Sequence, residues 1–563
     1  MAKSAFHSHL FLCSCILIVL FGSCAQVVAP TGGKIDRISP KVLKYIPDSA
    51  ALNFNGREII FLFDEFIQLK DINGQLIISP PLEFIPDVKT KNETLSLIFD
   101  KSEKLKPNTT YSVNFGNAIQ DIHESNPVEN FKYVFSTGNF IDSLTFKGKV
   151  ETAFEHKTEK GILVMLYKDY NDSTIYKNHP DYFGKTKDDG SFLINNIAAG
   201  NYKIMALKDA NANYKYDNEG ESIGFIDTLI NIDKNTNVSF TVFQQPAKKL
   251  FVKTAIHGYY GNIMLVFNKP ADNIVIQPLN HTFDDKNIFL EYSKNKDTLN
   301  YWFRNIEKDS IILQVRNNDR IIDTVSFKTI KKSEALKNNR KPLKFKLLSS
   351  PDKNQNFDLN AELLITFNHP IDPAFIDALN KKEIQLIEDS TLYNGYNNLL
   401  YRQKTINTLV ISKKSNTSPP ASPALKENTK YHLLILPGTF TDIFGFTNDS
   451  ITINFKTREE KEYGSLKLKI DITETKTGNY IVQLLDEKEN VLRENNIKKS
   501  ETLTYQYLLP KKYKLKVIFD DNANYKWDTG NLQKKYQPEK VIYNAEAINT
   551  RSNWDIELEW KIY

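Results

Sequence analysis

The sequence predicts an all-β protein: tandem β-sandwich domains that follow an N-terminal export signal. Three observations carry that fold class. Tyr (27) and Phe (35) far outnumber Met (4) and Asn is abundant, the balance of strands and turns rather than of helical bundles. Short apolar segments such as Ile59–Phe63, Thr110–Phe115 and Phe131–Phe135 recur between Asn-Gly, Pro-Asn and Asp-rich turns. The chain also repeats itself, with Leu105–Tyr111 matching Leu425–Tyr431.

Composition narrows the functional classes. At roughly 150 residues per domain, 563 residues make three to five domains. Hydrophobic content of 41% rules out wholesale disorder. A net charge of +5 gives no electrostatic case for nucleic acid, which needs a clustered basic face. The three cysteines, Cys13, Cys15 and Cys24, all lie at the N-terminus. Structural disulfides, thiolate catalysis and cysteine-ligated zinc are thereby excluded from the folded part.

The first element is an address. Residues 1–23 carry Lys3, the short apolar run Leu10–Phe21 and then small residues, the pattern of a secretory signal peptide and too short for a spanning helix. Its end, Phe21-Gly22-Ser23-Cys24, resembles the lipobox of bacterial lipoproteins. That resemblance implies cleavage before Cys24 and lipidation there, so that acyl chains anchor the chain to a membrane. The alternative is an ordinary signal peptide with an incidental cysteine. Residues 24–33 read as a tether.

Next come the repeats. Leu105-Lys106-Pro107-Asn108-Thr109-Thr110-Tyr111 and Leu425-Lys426-Glu427-Asn428-Thr429-Lys430-Tyr431 each precede a closing strand, Tyr133–Thr137 or Ile453–Thr457. Upstream, Ile60–Asp64 corresponds to Leu364–Asn368, and Met264–Pro270 opens a third version. These marks resemble the bacterial Ig-like domain family named after an S-layer protein (SbsA-like). The resemblance covers 34–138 and 342–458, and 247–341 through its first strand only. It implies fold and no chemistry. The Asn-Thr pair reads as a turn into a strand, with the Tyr lying over the sandwich core.

A different unit follows each well-matched copy. Asp189-Gly190-Ser191-Phe192 through Gly200-Asn201-Tyr202 resembles transthyretin-like or carboxypeptidase-regulatory-like sandwiches, which places such domains at 139–246 and, in degenerate form, 459–563. Both contain D-x-N-x-N-x-x-x-D: Asp209, Asn211, Asn213 and Asp217, then Asp520, Asn522, Asn524 and Asp528. Oxygen side chains at alternate positions point inward around a hard cation, so calcium is the one cofactor the sequence offers. Tyr214 and Tyr525 stand where an EF-hand needs Gly, and Gly220 or Asn531 replaces its last Glu. The competing reading is an Asx-turn connection whose Asn and Asp side chains hold backbone amides.

No catalytic residue emerges. The seven histidines of the mature chain are too widely spaced for a local metal motif, and no His-Glu-x-x-His, Gly-x-Ser-x-Gly or phosphate loop is present. These histidines read as surface or turn residues, and the pairs Asp188-Asp189 and Glu459-Glu460 as solvated turns. Lys331–Lys346 reads as an exposed linker, Ser415–Pro423 as an extended insertion, and Pro373–Leu379 as one short helix capped by Asp372. The sequence therefore predicts a non-enzymatic, lipid-anchored envelope protein acting as a scaffold or binding protein. Its partners would be the membrane through Cys24 and an envelope protein or glycan, with no nucleic acid. Two alternatives stand beside it. A surface adhesin would use an aromatic platform at Tyr259-Tyr260 or Tyr393–Tyr401, and a hydrolase would need carboxylates convergent between domains. The anchor would hold it at the outer membrane, on its periplasmic face or the cell surface.

Overall fold

A computed structural model describes residues 36–562, apart from 130, 282–284, 305–308, 338–344, 351–355, 372–382, 390, 393–398, 414–424 and 474–477. Cys24, the short helix expected at Pro373–Leu379, the Ser415–Pro423 insertion, Tyr393 and Tyr396 lie outside the described residues. Within them the chain is all-β, with ten sheets and only short helices. No helix among the described residues is long and apolar enough to cross a membrane.

Alternation along each strand explains why the sheets stack in pairs. In Glu58–Phe63, Ile59, Phe61 and Phe63 are buried while their neighbours turn outward. This strand lies in a four-stranded sheet with Val42–Ile46, Thr94–Ile98 and Asp87–Lys91. A three-stranded sheet of Ile77–Ser79, Thr110–Gly116 and Phe131–Ser136 faces it, and their inner residues make one aromatic-rich core. The same four-plus-three arrangement returns in 252–328, with Ile263, Leu265, Tyr301, Leu313 and Val315 inside. In 347–457 a four-stranded and a five-stranded sheet enclose Ile365, Phe367, Tyr431, Leu433 and Phe455.

The two remaining segments share a different device. Leu144–Thr152 runs parallel to the later Phe240–Gln244, and Gly464–Ile472 runs parallel to Asp555–Ile562. First and last strands are thus neighbours in both segments. Each also holds a strand buried along its whole length, Leu163–Tyr167 and Asn479–Leu485. Such strands face apolar surroundings on both sides. Val164 and Leu166 enter one core while Leu163, Met165 and Tyr167 enter another.

The repeated sequence marks have a common structural cause. Asn108 and Asn428 adopt φ of 47° and 49°, the left-handed turn conformation that Asn tolerates. Tyr111 and Tyr431 then reach back, their hydroxyls accepting the backbone N–H of Lys106 (2.8 Å) and Lys426 (3.0 Å). Their rings stack on Phe135 and Phe455. The closing threonines complete the unit: Thr137 and Thr457 accept the N–H of Thr109 and Thr429, each at 3.0 Å. Their hydroxyls donate to the carbonyls of Lys106 and Lys426.

One sequence expectation is sharpened and one needs correction. His369 lies in the bend after Leu363–Phe367 and is buried, its Nδ1 2.6 Å from Asp442 Oδ2, because its ring packs against Phe444. The stretch beginning at Lys331 is no free linker where it is described. Lys332–Lys337 is a helix whose Ala335 packs with Tyr260, Trp302 and Phe444, and Lys332 Nζ donates to the Phe444 carbonyl.

Candidate functional site

The structure brings the eight loop residues together in two sets of four, one at the end of each long strand, Gly200–Lys208 and Lys512–Asp520. In the first loop Asp209 accepts the backbone N–H groups of Asn211 and Asn213 at Oδ1 and of Tyr214 at Oδ2 (2.7 Å). Asn211 Oδ1 accepts from Asn213 N–H, and Asn213 Oδ1 from Lys215 N–H. Both Asn amides donate to the Asp217 carboxylate, at 3.2 and 2.6 Å. The second loop repeats the scheme: Asp520 accepts Asn524 and Tyr525 N–H, Asn524 accepts Lys526 N–H, and Asn522 and Asn524 donate to Asp528.

Backbone geometry is copied as well. Ala212 and Tyr214 have φ of 59° and 61°, and Ala523 and Tyr525 have 56° and 64°. Non-glycine residues in that region cost roughly 1–2 kcal/mol each, so the surrounding hydrogen bonds must hold them there. The Tyr214 ring recovers part of that cost against Phe183, at 4.9 Å edge to face.

Each loop is closed by a glutamate that the repeat did not reveal. Glu221 accepts Ala210 N–H at Oε1 and the N–H groups of Asp217 and Asn218 at Oε2. Glu539 accepts Asp521 N–H (2.9 Å) and Asp528 N–H (2.8 Å). Both glutamates are buried. Burial pushes the Glu539 carboxyl above its ordinary value, against two N–H donors that pull it down. Glu221 lies four residues beyond Asp217 and Glu539 eleven beyond Asp528, so no fixed spacing marks them.

The carboxylates and amide oxygens named above accept N–H groups of their own loop. Among the described residues, no group of three or more His, Cys, Asp or Glu side chains is arranged to hold a metal ion.

The position before the last Asp is aromatic in both loops, and it leads to a contact between the two segments that carry them. Tyr216 OH accepts Gln245 Nε2, and Gln245 Oε1 accepts Leu532 N–H at 2.8 Å. Trp527 donates its indole N–H to the Glu539 carbonyl and packs on Phe154, ring centroids 4.8 Å apart. Lys516, only 4% exposed, places Nζ 4.1 Å from the Phe154 centroid, and burial holds its pKa below the ordinary value. Thr529 Oγ1 donates to the Gln244 carbonyl, Gln537 Nε2 to the Phe225 carbonyl, and Lys535 pairs with Asp172. Gly530 permits this approach: a Cβ there would lie 2.4 Å from Phe243 Cζ and 2.8 Å from the Tyr536 carbonyl oxygen.

Other junctions join segments that are neighbours in sequence. Phe183 N–H donates to Ser79 Oγ. Tyr260 packs on Phe444 (5.1 Å), so the aromatic pair expected as an exposed platform is half consumed, with Tyr259 left 43% exposed. Tyr463 OH accepts Leu359 N–H. The contact between 154–245 and 516–543 joins, in addition, two segments far apart in sequence.

The chain matches no curated protein. Among solved structures it is similar to the surface layer protein SbsC, domains 1–6 (9% identity, 92% of this chain and 68% of that one, TM-score 0.15). It is similar to BcpA, the major pilin subunit of Bacillus cereus (9% identity, 75% and 99%, TM-score 0.13). It is also similar to the Bacillus anthracis TIE protein (10% identity, 94% and 76%, TM-score 0.14). TM-scores this low set no common architecture for the whole chain. At domain level the match is specific: residues 36–137 match the bacterial Ig-like domain family.

Proposed function

We propose that the chain is a non-enzymatic, lipid-anchored scaffold of the bacterial cell envelope. In this reading acyl chains on Cys24 hold it to the membrane, and residues 24–33 tether five sandwich domains. Their order is Ig-like (34–138), transthyretin-like (139–246), divergent Ig-like (247–341), Ig-like (342–458) and transthyretin-like (459–563). One observation carries the proposal: the two segments bearing the duplicated loop clasp each other across Phe154, Trp527 and Lys516. A chain closed in that way presents its outer surfaces at fixed separations, which suits a scaffold better than a flexible string of modules. The loops serve as hydrogen-bonded staples that stiffen the clasp. Envelope proteins or glycans are the partners such surfaces would meet.

The test is fractionation of cells expressing the full chain and Cys24→Ala, with metabolic labelling by a palmitate analogue. The proposal expects label and membrane association for the parent, and neither for the variant. An unlabelled parent in the soluble fraction would overturn the anchor. Protease shaving of intact cells then separates the cell surface from the periplasmic face.

A further inference from the structure

Between the first sandwich and the segment that follows it runs a groove of about 690 Å³, within the ~300–1,000 Å³ range of ligand sites. Its floor is the contact of Phe183 N–H with Ser79 Oγ. One wall is the outward face of Thr110–Gly116 and Phe131–Ser136, and the other the outward face of Tyr182–Lys185 and Ser191–Ile197. Cross-strand neighbours Asn114 and Lys132 stand on the first wall, and Lys185 and Asn195 on the second.

Four lysines line this groove, Lys132, Lys160, Lys185 and Lys187, against two carboxylates, Asp71 and Asp188. Lys160 is matched by Asp188 at 4.0 Å. Among the described residues the other three lysines make no ion pair of that kind, although Asp71 and the loop's Asp209 lie close enough to Lys185 to act on it. Desolvation and the neighbouring Lys187 ammonium hold the Lys132 pKa below its ordinary value, so the site already carries like-charge strain that an anion would relieve. Between the ammonium groups the lining mixes Ile77 and Leu193 with the amides of Asn114 and Asn195 and the Ser112 hydroxyl; Asn114 Oδ1 accepts Gly116 N–H, leaving its Nδ2 as donor.

We propose that this groove binds an acidic oligosaccharide, with Lys132, Lys185 and Lys187 meeting its carboxylates and the Asn side chains its hydroxyls. The walls favour that occupant over two others. The one aromatic ring in the lining, Phe183, is buried, so no platform exists for stacked bases. Tyr182–Lys185 is an edge strand, but its outward Phe183 N–H is already bonded to Ser79 Oγ, so an added peptide strand would find that ladder donor taken. The groove needs no lipid anchor for this role.

The test is calorimetry of the full chain with oligogalacturonate of about six residues, maltohexaose and hexaglutamate as probes. Oligogalacturonate alone should bind, more weakly as salt rises from about 50 to 300 mM. The triple variant Lys132→Gln, Lys185→Gln, Lys187→Gln should lose about ten-fold in affinity with its melting temperature unchanged, because the three side chains make no ion pair among the described residues of the free protein. The double variant Lys248→Gln, Lys249→Gln, outside the groove lining, should bind as the parent does. Equal binding of maltohexaose or hexaglutamate, undiminished binding by the triple variant, or no heat at about 1 mM oligogalacturonate would each overturn the proposal.

Discussion

Replacing Phe154 by Ala should open the clasp while leaving both of its halves folded. The ring is half-buried and makes two directional contacts, one with Trp527 at 4.8 Å and one with the Lys516 ammonium at 4.1 Å. An aromatic pair contributes about 0.5–1.5 kcal/mol beyond area burial, and a desolvated cation–π contact about 1–2 kcal/mol. Together they make about 1.5–3.5 kcal/mol, toward the low end of the ~3–5 kcal/mol cost of deleting a fully buried Phe. The amide of Leu532 reports this locally, because its N–H is bonded across the junction to Gln245 Oε1. If that amide exchanges through clasp opening, Phe154→Ala should speed its hydrogen exchange about 10- to 350-fold. The amide of Val482, inside the core strand Asn479–Leu485, should be unchanged. A change under about three-fold at Leu532 would refute the energetic account. Equal acceleration at Val482 would show that the substitution unfolds the C-terminal segment instead.

Three further outcomes test other parts of the structure. Thr457→Val leaves the buried N–H of Thr429 without its acceptor and should cost about 1–3 kcal/mol, read as faster exchange across Lys430–Ile435; Thr137→Val should do the same in Thr110–Gly116. Asp520→Ala strips acceptors from Asn524 and Tyr525 and should cost about 1–3 kcal/mol, whereas about 10 mM Ca²⁺ should move the parent's melting temperature by less than about 1 °C; a larger rise would show that the loops bind the cation. The pH dependence has a definite sign. Glu539 has its folded pKa raised, so its contribution to stability is greatest below the unfolded value of about 4.3 and declines as pH rises through the folded value. Glu539→Gln should remove that decline, and denaturant midpoints of the two proteins between pH 4 and 7 should therefore differ in slope. Identical slopes would count against it.

Much of the fold was legible because β-structure leaves local marks. The L-x-x-N-T-x-Y and F-x-T segments repeat since each of their residues acts on its near neighbours. Asn takes the left-handed turn, Tyr reaches back five residues, and Thr closes the loop. The eight Asp and Asn positions were equally legible, and the structure gathers them as spaced. The closing glutamates were not, because their distance from the loop differs between copies. A signal for the clasp was present but ambiguous. Leu163–Tyr167 is apolar throughout, and Asn479–Leu485 is so but for Asn479 and Gln483, which marks a strand covered on both faces without saying by what. Likewise Tyr216 and Trp527 occupy one aromatic position in both loops, yet only the folded chain shows the surfaces beside them, separated by nearly 300 residues, meeting. His369 occupies a bend, within the surface or turn placement expected of the histidines, but its burial was not legible for a similar reason: it depends on Phe444, from a later turn, and Trp302, from another segment.

The closed clasp is tested most directly by a benzophenone amino acid placed at position 154 of the full chain. Irradiation at submicromolar protein should yield an intrachain crosslink whose peptides map to 516–543, around Lys516, Trp527 and Tyr543. Crosslinks confined to other segments, or a product found only between two chains, would contradict the closed scaffold.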